Sequence, residues 1–241
     1  HERRKGDFRR YHVDFIKTVV EACNKAGIRR LLHVSALGAD QASGSSLYLR
    51  SKGEGENLLH TFGQRELQVT SFQPSGVFGK EDNFVNQFAG ILSWYVGLFP
   101  LACPNSKLQP VYVGDLVERI VDAVGDADSY SKRYPICGPE VFTLRQILEL
   151  IISTLRLPVR IMPLGKGLSQ MQALVLQNLP GKLFTMDNYR SLQTDNVCGD
   201  REPCQTSLRQ YMHGLPARFG NKRDYDRFRR EFPSAEPRDR S

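Results

Sequence analysis

The chain is predicted to be an α/β protein, a parallel sheet covered by helices. Three observations carry that prediction. The first 80 residues alternate helix, strand, helix, strand, the order that parallel sheets require. The 241 residues, 40% apolar and 24% charged, are enough to bury a sizeable core and have an ordinary globular composition. The longest apolar stretch, Ile91 to Ala102, is interrupted by Ser93 and falls far short of the roughly 20 residues that cross a bilayer.

Taken in order, residues 1–10 form a charged lead-in. Val13, Phe15, Ile16, Val19, Val20 and Ala22 then recur at helical spacing over Tyr11 to Ala26, and Gly27 stops that helix. Ile28 to Val34 reads as a buried strand, and Ser35-Ala-Leu-Gly opens a polar loop. Leu47 to Phe62 is a second helix, and Leu67 to Phe72 a strand ending at Pro74-Ser-Gly. Phe84 to Leu98 is expected to be helical, with Trp94 and Tyr95 in a core or pocket wall and membrane contact as the alternative, and Leu108 to Val113 a short strand. Asp115 is expected to cap a helix with Leu116, Val117, Ile120, Val121 and Val124 on its packed face. Tyr134 to Cys137 is another short strand. Thr143-Leu-Arg-Gln146 has the form of a capping box, with Leu144, Ile147, Leu148 and Ile151 behind it. Leu168 to Leu179 is an amphipathic helix ended by Pro180-Gly181. The organisation expected is 1–80 as one sheet domain, 81–216 as a mixed region and 217–241 as a basic tail.

The net charge is +7, but its position matters more than its size. Residues 1–10 carry +3 and residues 217–241 carry +3, so the body between them is nearly neutral. A basic stripe on the body, the usual footprint of nucleic-acid binding, is missing, and no nucleic-acid partner is expected. Phe219, Tyr225 and Phe228 interleave with Arg and Lys in the tail, a pattern suited to an anionic membrane surface or an acidic partner. The five cysteines, Cys23, Cys103, Cys137, Cys198 and Cys204, form no CxxC pair, and no His lies at ligand spacing. Reduced thiols, no metal and a cytoplasmic location follow as expectations, with peripheral contact at the inner face of a membrane through the tail. Cys23 and Cys137 are expected in the core.

The stretch Tyr48-Leu-Arg-Ser-Lys52 carries the most chemistry. Tyr and Lys four apart on a helix share a face. A nearby ammonium favours the phenolate and makes the tyrosine a usable proton donor or acceptor for a carbonyl/alcohol interconversion. Ser35, at the carboxyl end of the preceding strand, is placed to hold the substrate oxygen.

These residues, taken with His33-Val-Ser-Ala-Leu-Gly38, Gln73-Pro-Ser-Gly-Val-Phe-Gly79 and Gln109-Pro-Val-Tyr-Val-Gly-Asp115, resemble the extended and atypical short-chain dehydrogenases/reductases, which are NAD-dependent epimerase/dehydratase-like proteins. Gly79-Lys-Glu-Asp-Asn-Phe84, Cys137-Gly-Pro-Glu-Val-Phe-Thr143 and Asp195-Asn-Val197 are similar to the branch of the 39-kilodalton subunit of NADH:ubiquinone oxidoreductase (complex I) and its bacterial relatives. The resemblance runs from about Gly6 to Arg230. It implies a Rossmann-like doubly wound parallel sheet. It also implies Ser35, Tyr48 and Lys52 as catalytic residues, with NAD or NADP held by Tyr48, Lys52, Pro74, Ser75, Gly76 and Val77. Ala36, Phe78, Asn83 and Asn86 would line the substrate pocket. Gln73 stands where extended members commonly have Arg, and Phe78 where they commonly have Tyr.

A dinucleotide fold needs a glycine-rich turn after its first strand, with the pyrophosphate at a helix N-terminus. No GxGxxG or GxxGxxG occurs in these residues. The sequence, which begins at His1, is therefore expected to lack the N-terminal glycine-rich βαβ part, to leave the strand Ile28 to Val34 at an open edge, and to be poorly soluble or self-associate. The function expected is that of an NAD(P)-dependent oxidoreductase or epimerase acting on a small-molecule carbonyl or alcohol through Tyr48, Lys52 and Ser35. The alternative is a non-catalytic nucleotide-holding accessory or assembly protein of the respiratory or quinone machinery. A redox-sensing regulator of similar fold is disfavoured, because it has no need of Tyr-x-x-x-Lys.

Overall fold

The structure, a computed structural model, describes residues 6–63, 67–82, 84–179 and 184–214. Asn83 and the basic tail, both singled out above, lie outside them, as does the Pro180-Gly181 stop. The chain starts with α1 (Asp7–Arg9), a π-helical turn (Arg10–Asp14) and α2 (Phe15–Ala26). Gly27, at φ 66°, closes α2 in the left-handed conformation that glycine adopts without strain. There follow β1 (Arg30–Val34), α3 (Leu47–Gly63), β2 (Gln68–Pro74), β3 (Val77–Phe78) and α4 (Val85–Ser93). Next come β4 (Gly97–Leu101), β5 (Lys107–Leu108), β6 (Val111–Tyr112), α5 (Val113–Asp122), β7 (Arg133–Ile136) and β8 (Phe142–Thr143). Last are α6 (Leu144–Leu155), β9 (Val159–Pro163), α7 (Lys166–Leu176), α8 (Met186–Ser191) and α9 (Leu208–Gly214).

The central sheet has the order β1-β2-β7, all parallel, with Arg30 opposite Gln68 and Ser71 opposite Arg133. Strand periodicity assigns its two faces. Val69, Ser71 and Gln73 look toward α3, where Leu59, His60 and Glu56 meet them. Thr70 and Phe72 look the other way, toward Ser129 and Leu116. Helices thus cover both faces, as a doubly wound sheet requires. Among the described residues β1 pairs with β2 alone and forms the sheet's edge. A larger core gathers around α6: Ile147, Leu148 and Ile151 pack with Phe78, Leu92, Phe142, Leu208 and Met212. The Thr143–Gln146 capping box that starts α6 is formed on both sides.

Two glycines let α3 approach its neighbours. A Cβ on Gly55 would lie 1.9 Å from the carbonyl oxygen of His12, and one on Gly53 2.5 Å from the backbone nitrogen of Gln41. The Lys52-Gly-Glu-Gly-Glu56 sequence is therefore the surface on which α3 meets the π-helical turn and the preceding loop.

Several expectations are corrected. The helix expected over Phe84 to Leu98 stops at Ser93; Gly97, at φ 93°, turns the chain into β4, which pairs in parallel with β9. Trp94 is accordingly 67% exposed, not in a core. The strand expected over Leu108 to Val113 is two short strands separated by Gln109-Pro110, since Pro110 has no N–H to give a ladder. Asp115 does not cap α5, which begins at Val113 with Tyr112 at the cap position; its carboxylate accepts from the backbone N–H and Oγ1 of Thr206 at 2.8 and 2.6 Å. The expected packed face of α5 is only half realised: Leu116 and Ile120 pack inward, but Val117, Val121 and Val124 are exposed, Val121 by 61%. Cys137 and Cys198 form a disulfide. A separation of 61 residues carries no spacing signal, yet the fold brings their Cα atoms to 6.0 Å. Cys23 is free and buried.

Candidate functional site

The strand-end residues and α3 meet on one side of the sheet. Ser46 caps α3 locally by accepting from Leu49 N–H at 3.2 Å. Asp187, on α8 and 140 residues distant, accepts from the N–H groups of Leu47 and Tyr48 at 2.6 and 3.2 Å. A carboxylate at a helix N-terminus satisfies orphan donors and complements the dipole. Asp187 thereby fixes the turn that carries Tyr48.

Tyr48 is enclosed. Its ring makes edge contacts with Phe8 and His12, at centroid distances of 5.8 and 5.5 Å. His12 Nδ1 lies 2.8 Å from Ser51 Oγ, whose proton goes to the Tyr48 carbonyl, so His12 donates to Ser51. Burial raises the pKa of the Tyr48 phenol. The Lys52 ammonium donates to the Val34 carbonyl at 2.7 Å. Burial lowers the lysine's own pKa, and the Glu56 carboxylate opposes that shift.

Ser35, the residue after Val34, donates its N–H to Phe72 O at 2.7 Å. Its hydroxyl is buried and has no hydrogen-bond partner among the described residues. Ala36 beside it is buried. The loop Pro74 to Val77 is held by its backbone: Leu37 N–H donates to Pro74 O, Ser75 N–H to Ile136 O and Val111 N–H to Gly76 O, while the Ser75 hydroxyl donates to Gln109 O. Gln109 in turn bonds Gly138 O and Cys198 N–H, so the disulfide-bearing segment braces the same loop. Phe78 is fully buried between Tyr112 and Tyr211 in the main core. The Asn86 amide donates to the carbonyls of Gly79 and Lys80, and Asp82 gathers the N–H groups of Gly79, Phe84 and Asn86.

A polar network lies beneath. Ser71 Oγ bridges His33 Nδ1 and His60 Nε2 at 3.2 and 3.0 Å. Burial, with the Lys52 ammonium nearby, holds His33 down to about 3 and His12 down to about 4. The buried Glu56 carboxylate pairs with Arg133 at 2.7 Å and accepts from Gln73 at 2.9 Å. The cation that meets Glu56 comes from β7. His12, Phe8, Asp187 and Arg133 gave no signal in the sequence, because each reaches the site from another element.

A helix-covered parallel sheet with its polar residues gathered at the strand ends is a Rossmann-type α/β arrangement. The NAD complex of UDP-glucose 4-epimerase from Thermus thermophilus shares the fold at 21% identity and TM-score 0.55, over 76% of this chain and 70% of that one. No family model matches the chain. It is 35% identical over 152 residues to the mitochondrial NADH dehydrogenase (ubiquinone) 1 alpha subcomplex subunit 9 of Mus musculus, covering 62% of this chain and 39% of the relative. It is 30% identical over 196 residues to the Arabidopsis thaliana protein of the same name, covering 76% and 47%. Over those spans the chain is similar to the branch of the 39-kilodalton complex I subunit, and its fold is shared with the epimerase. It spans less than half the length of these curated relatives.

Proposed function

We propose that the chain supplies the nicotinamide side of a dinucleotide site, and that it holds the nucleotide as an accessory component of a respiratory NADH:ubiquinone oxidoreductase. The observation that carries this reading is the geometry around Tyr48. Its ring is enclosed by Phe8 and His12, and the Lys52 amine is engaged at Val34 O. The residues present fit the nicotinamide and its ribose: the unpartnered Ser35 hydroxyl, Lys52 beside it, and the braced loop Pro74 to Val77. A bound nicotinamide would supply hydride chemistry. In this reading Ser35 and Lys52 orient the group and Tyr48 closes over it. The nucleotide is NAD or NADP, and the described residues of 1–80 with the strands of 107–136 form the nucleotide half. The location assigned is peripheral at a membrane that houses the respiratory complex.

A second reading, an oxidoreductase or epimerase acting on a carbonyl or alcohol, is supported by the same Ser35 hydroxyl. An unpartnered buried donor at a strand end is where a substrate oxygen gains most. Nucleotide retained through gel filtration, measured on the protein carrying this chain, separates the two. The holding role predicts that Lys52→Met and Ser35→Ala lower retention, that Tyr48→Phe leaves it within about twofold, and that no carbonyl compound oxidises bound NADH. Substrate oxidation of the nicotinamide that disappears in Tyr48→Phe would establish the enzymatic reading instead.

A further inference from the structure

Outside the site, one face of the molecule turns apolar side chains outward. On the β4/β9 ribbon, Leu98 and Pro100 pair with Arg160 and Met162, and by strand periodicity these four share the outer face. Phe99 and Ile161 take the inner face, packed on the main core. Leu98 and Met162 are exposed, and Val96 at the mouth of the ribbon is 79% exposed beside Trp94. Helix α7 joins this surface. Gln172 Nε2 donates to Pro100 O at 2.9 Å, and Ser169 Oγ accepts from Cys103 N–H at 3.2 Å. The helix buries Ser169 and Ala173, its small residues, and presents Met171 and Val175 outward. That is the reverse of a helix packed on a core.

The charge on these segments is one-sided. No Asp or Glu occurs between Asp82 and Asp115, or between Glu149 and Asp187, whereas Arg156, Arg160 and Lys166 are present and exposed. Exposed aromatic and aliphatic side chains accompanied only by cations match the interface of an anionic bilayer, where apolar groups enter the acyl boundary and cations meet headgroups. No described helix is long and apolar enough to cross a membrane, so the contact is with its surface.

We propose that the outer face of the β4/β9 ribbon and the outer stripe of α7 dock on an anionic lipid surface, with Trp94 and Val96 entering the interface and Arg160 and Lys166 lying at the headgroups. This goes beyond the nucleotide reading and uses different elements, so either can fail alone. It also differs from docking through the basic tail.

Trp94 is the chain's one tryptophan, so its fluorescence reports directly on this face. Vesicles of phosphatidylcholine with phosphatidylglycerol should blue-shift Trp94 emission and carry the protein in flotation; phosphatidylcholine alone should do so far less. The double variant Val96→Asp/Met171→Asp, at exposed positions, should keep the cooperative melt and lose partitioning by roughly tenfold or more. Arg160→Gln/Lys166→Gln should lose several-fold on anionic vesicles only. Unshifted Trp94 emission, or wild-type partitioning by the double Asp variant, would overturn the proposal. So would an oligomer dissolved by the Asp substitutions in a protein that ignores vesicles, which would make the face a self-association surface.

Discussion

The strand-end region and the β4/β9/α7 region use their side chains in opposite ways. At the strand ends of β1 and β2, buried polar groups predominate and nearly all are partnered: Glu56 with Arg133 and Gln73, Ser71 with His33 and His60, Lys52 with Val34 O. On the ribbon and α7, large apolar groups face outward and the small residues Ser169 and Ala173 face in. Burying polar groups costs free energy unless they are paired, and exposing apolar groups costs free energy in water. A chain that does both is specialised in both places. The partnered network around the unpaired Ser35 hydroxyl fits a small polar ligand, and the apolar face fits a surface.

The largest effect expected is from the disulfide, which braces the site side alone. The chain-entropy estimate for a loop of this separation is about 4 kcal/mol, an upper figure. Cys198→Ser, or reduction, should lower stability toward that amount in urea unfolding, and should loosen the Pro74 to Val77 loop before the ribbon in hydrogen exchange. Uniform loosening would break the comparison.

Acid should divide the two regions next. His12 and His33 are held below their ordinary value in the folded state, to about 4 and about 3. The unfolded chain, titrating near 6.5, therefore binds more protons across that window. Stability contributed by the neutral histidines is complete above about pH 6.5 and is lost as the pH falls toward 4 and 3. A melting-temperature series should show that decline, and His33→Phe should flatten it. A flat profile in the wild type would contradict the assigned burial.

How far the sequence foresaw these regions follows the same division. Tyr48-x-x-x-Lys52, the strand-end Ser35 and the Thr143–Gln146 box are local patterns, and the structure forms the box and sets Ser35 at the strand end. What stayed hidden depends on residues far apart in the chain. Asp187 reaches α3 across 140 residues, and the Cys137–Cys198 bond joins segments with no shared motif. The valines of α5 and the outer stripe of α7 misled for another reason. Apolar periodicity identifies an amphipathic helix but does not say whether its apolar face meets this chain's core or something else. At Gly97 a turn and strand pairing overrode a run that reads as helical.

The smallest effect should come from Asp187. Asp187→Ala removes a cap and should cost about 1 kcal/mol, while Asp187→Asn should recover part of it. Because the cap holds Tyr48's own turn, the variant should also sharpen or shift the Tyr48 ring resonances in NMR spectra. An unchanged Tyr48 signal would separate α8 from the site.

The central claim is that Tyr48 is held protonated, for retaining a ligand, and is not activated for proton transfer. Titration of the Tyr48 phenol by NMR of carbon-labelled tyrosine tests it most directly, with Tyr48→Phe assigning the signal. The account predicts that Tyr48 titrates above the ordinary tyrosine value of 10.0, and that Lys52→Met moves it little. A Tyr48 that titrates below that value, and rises when Lys52 is removed, would contradict it.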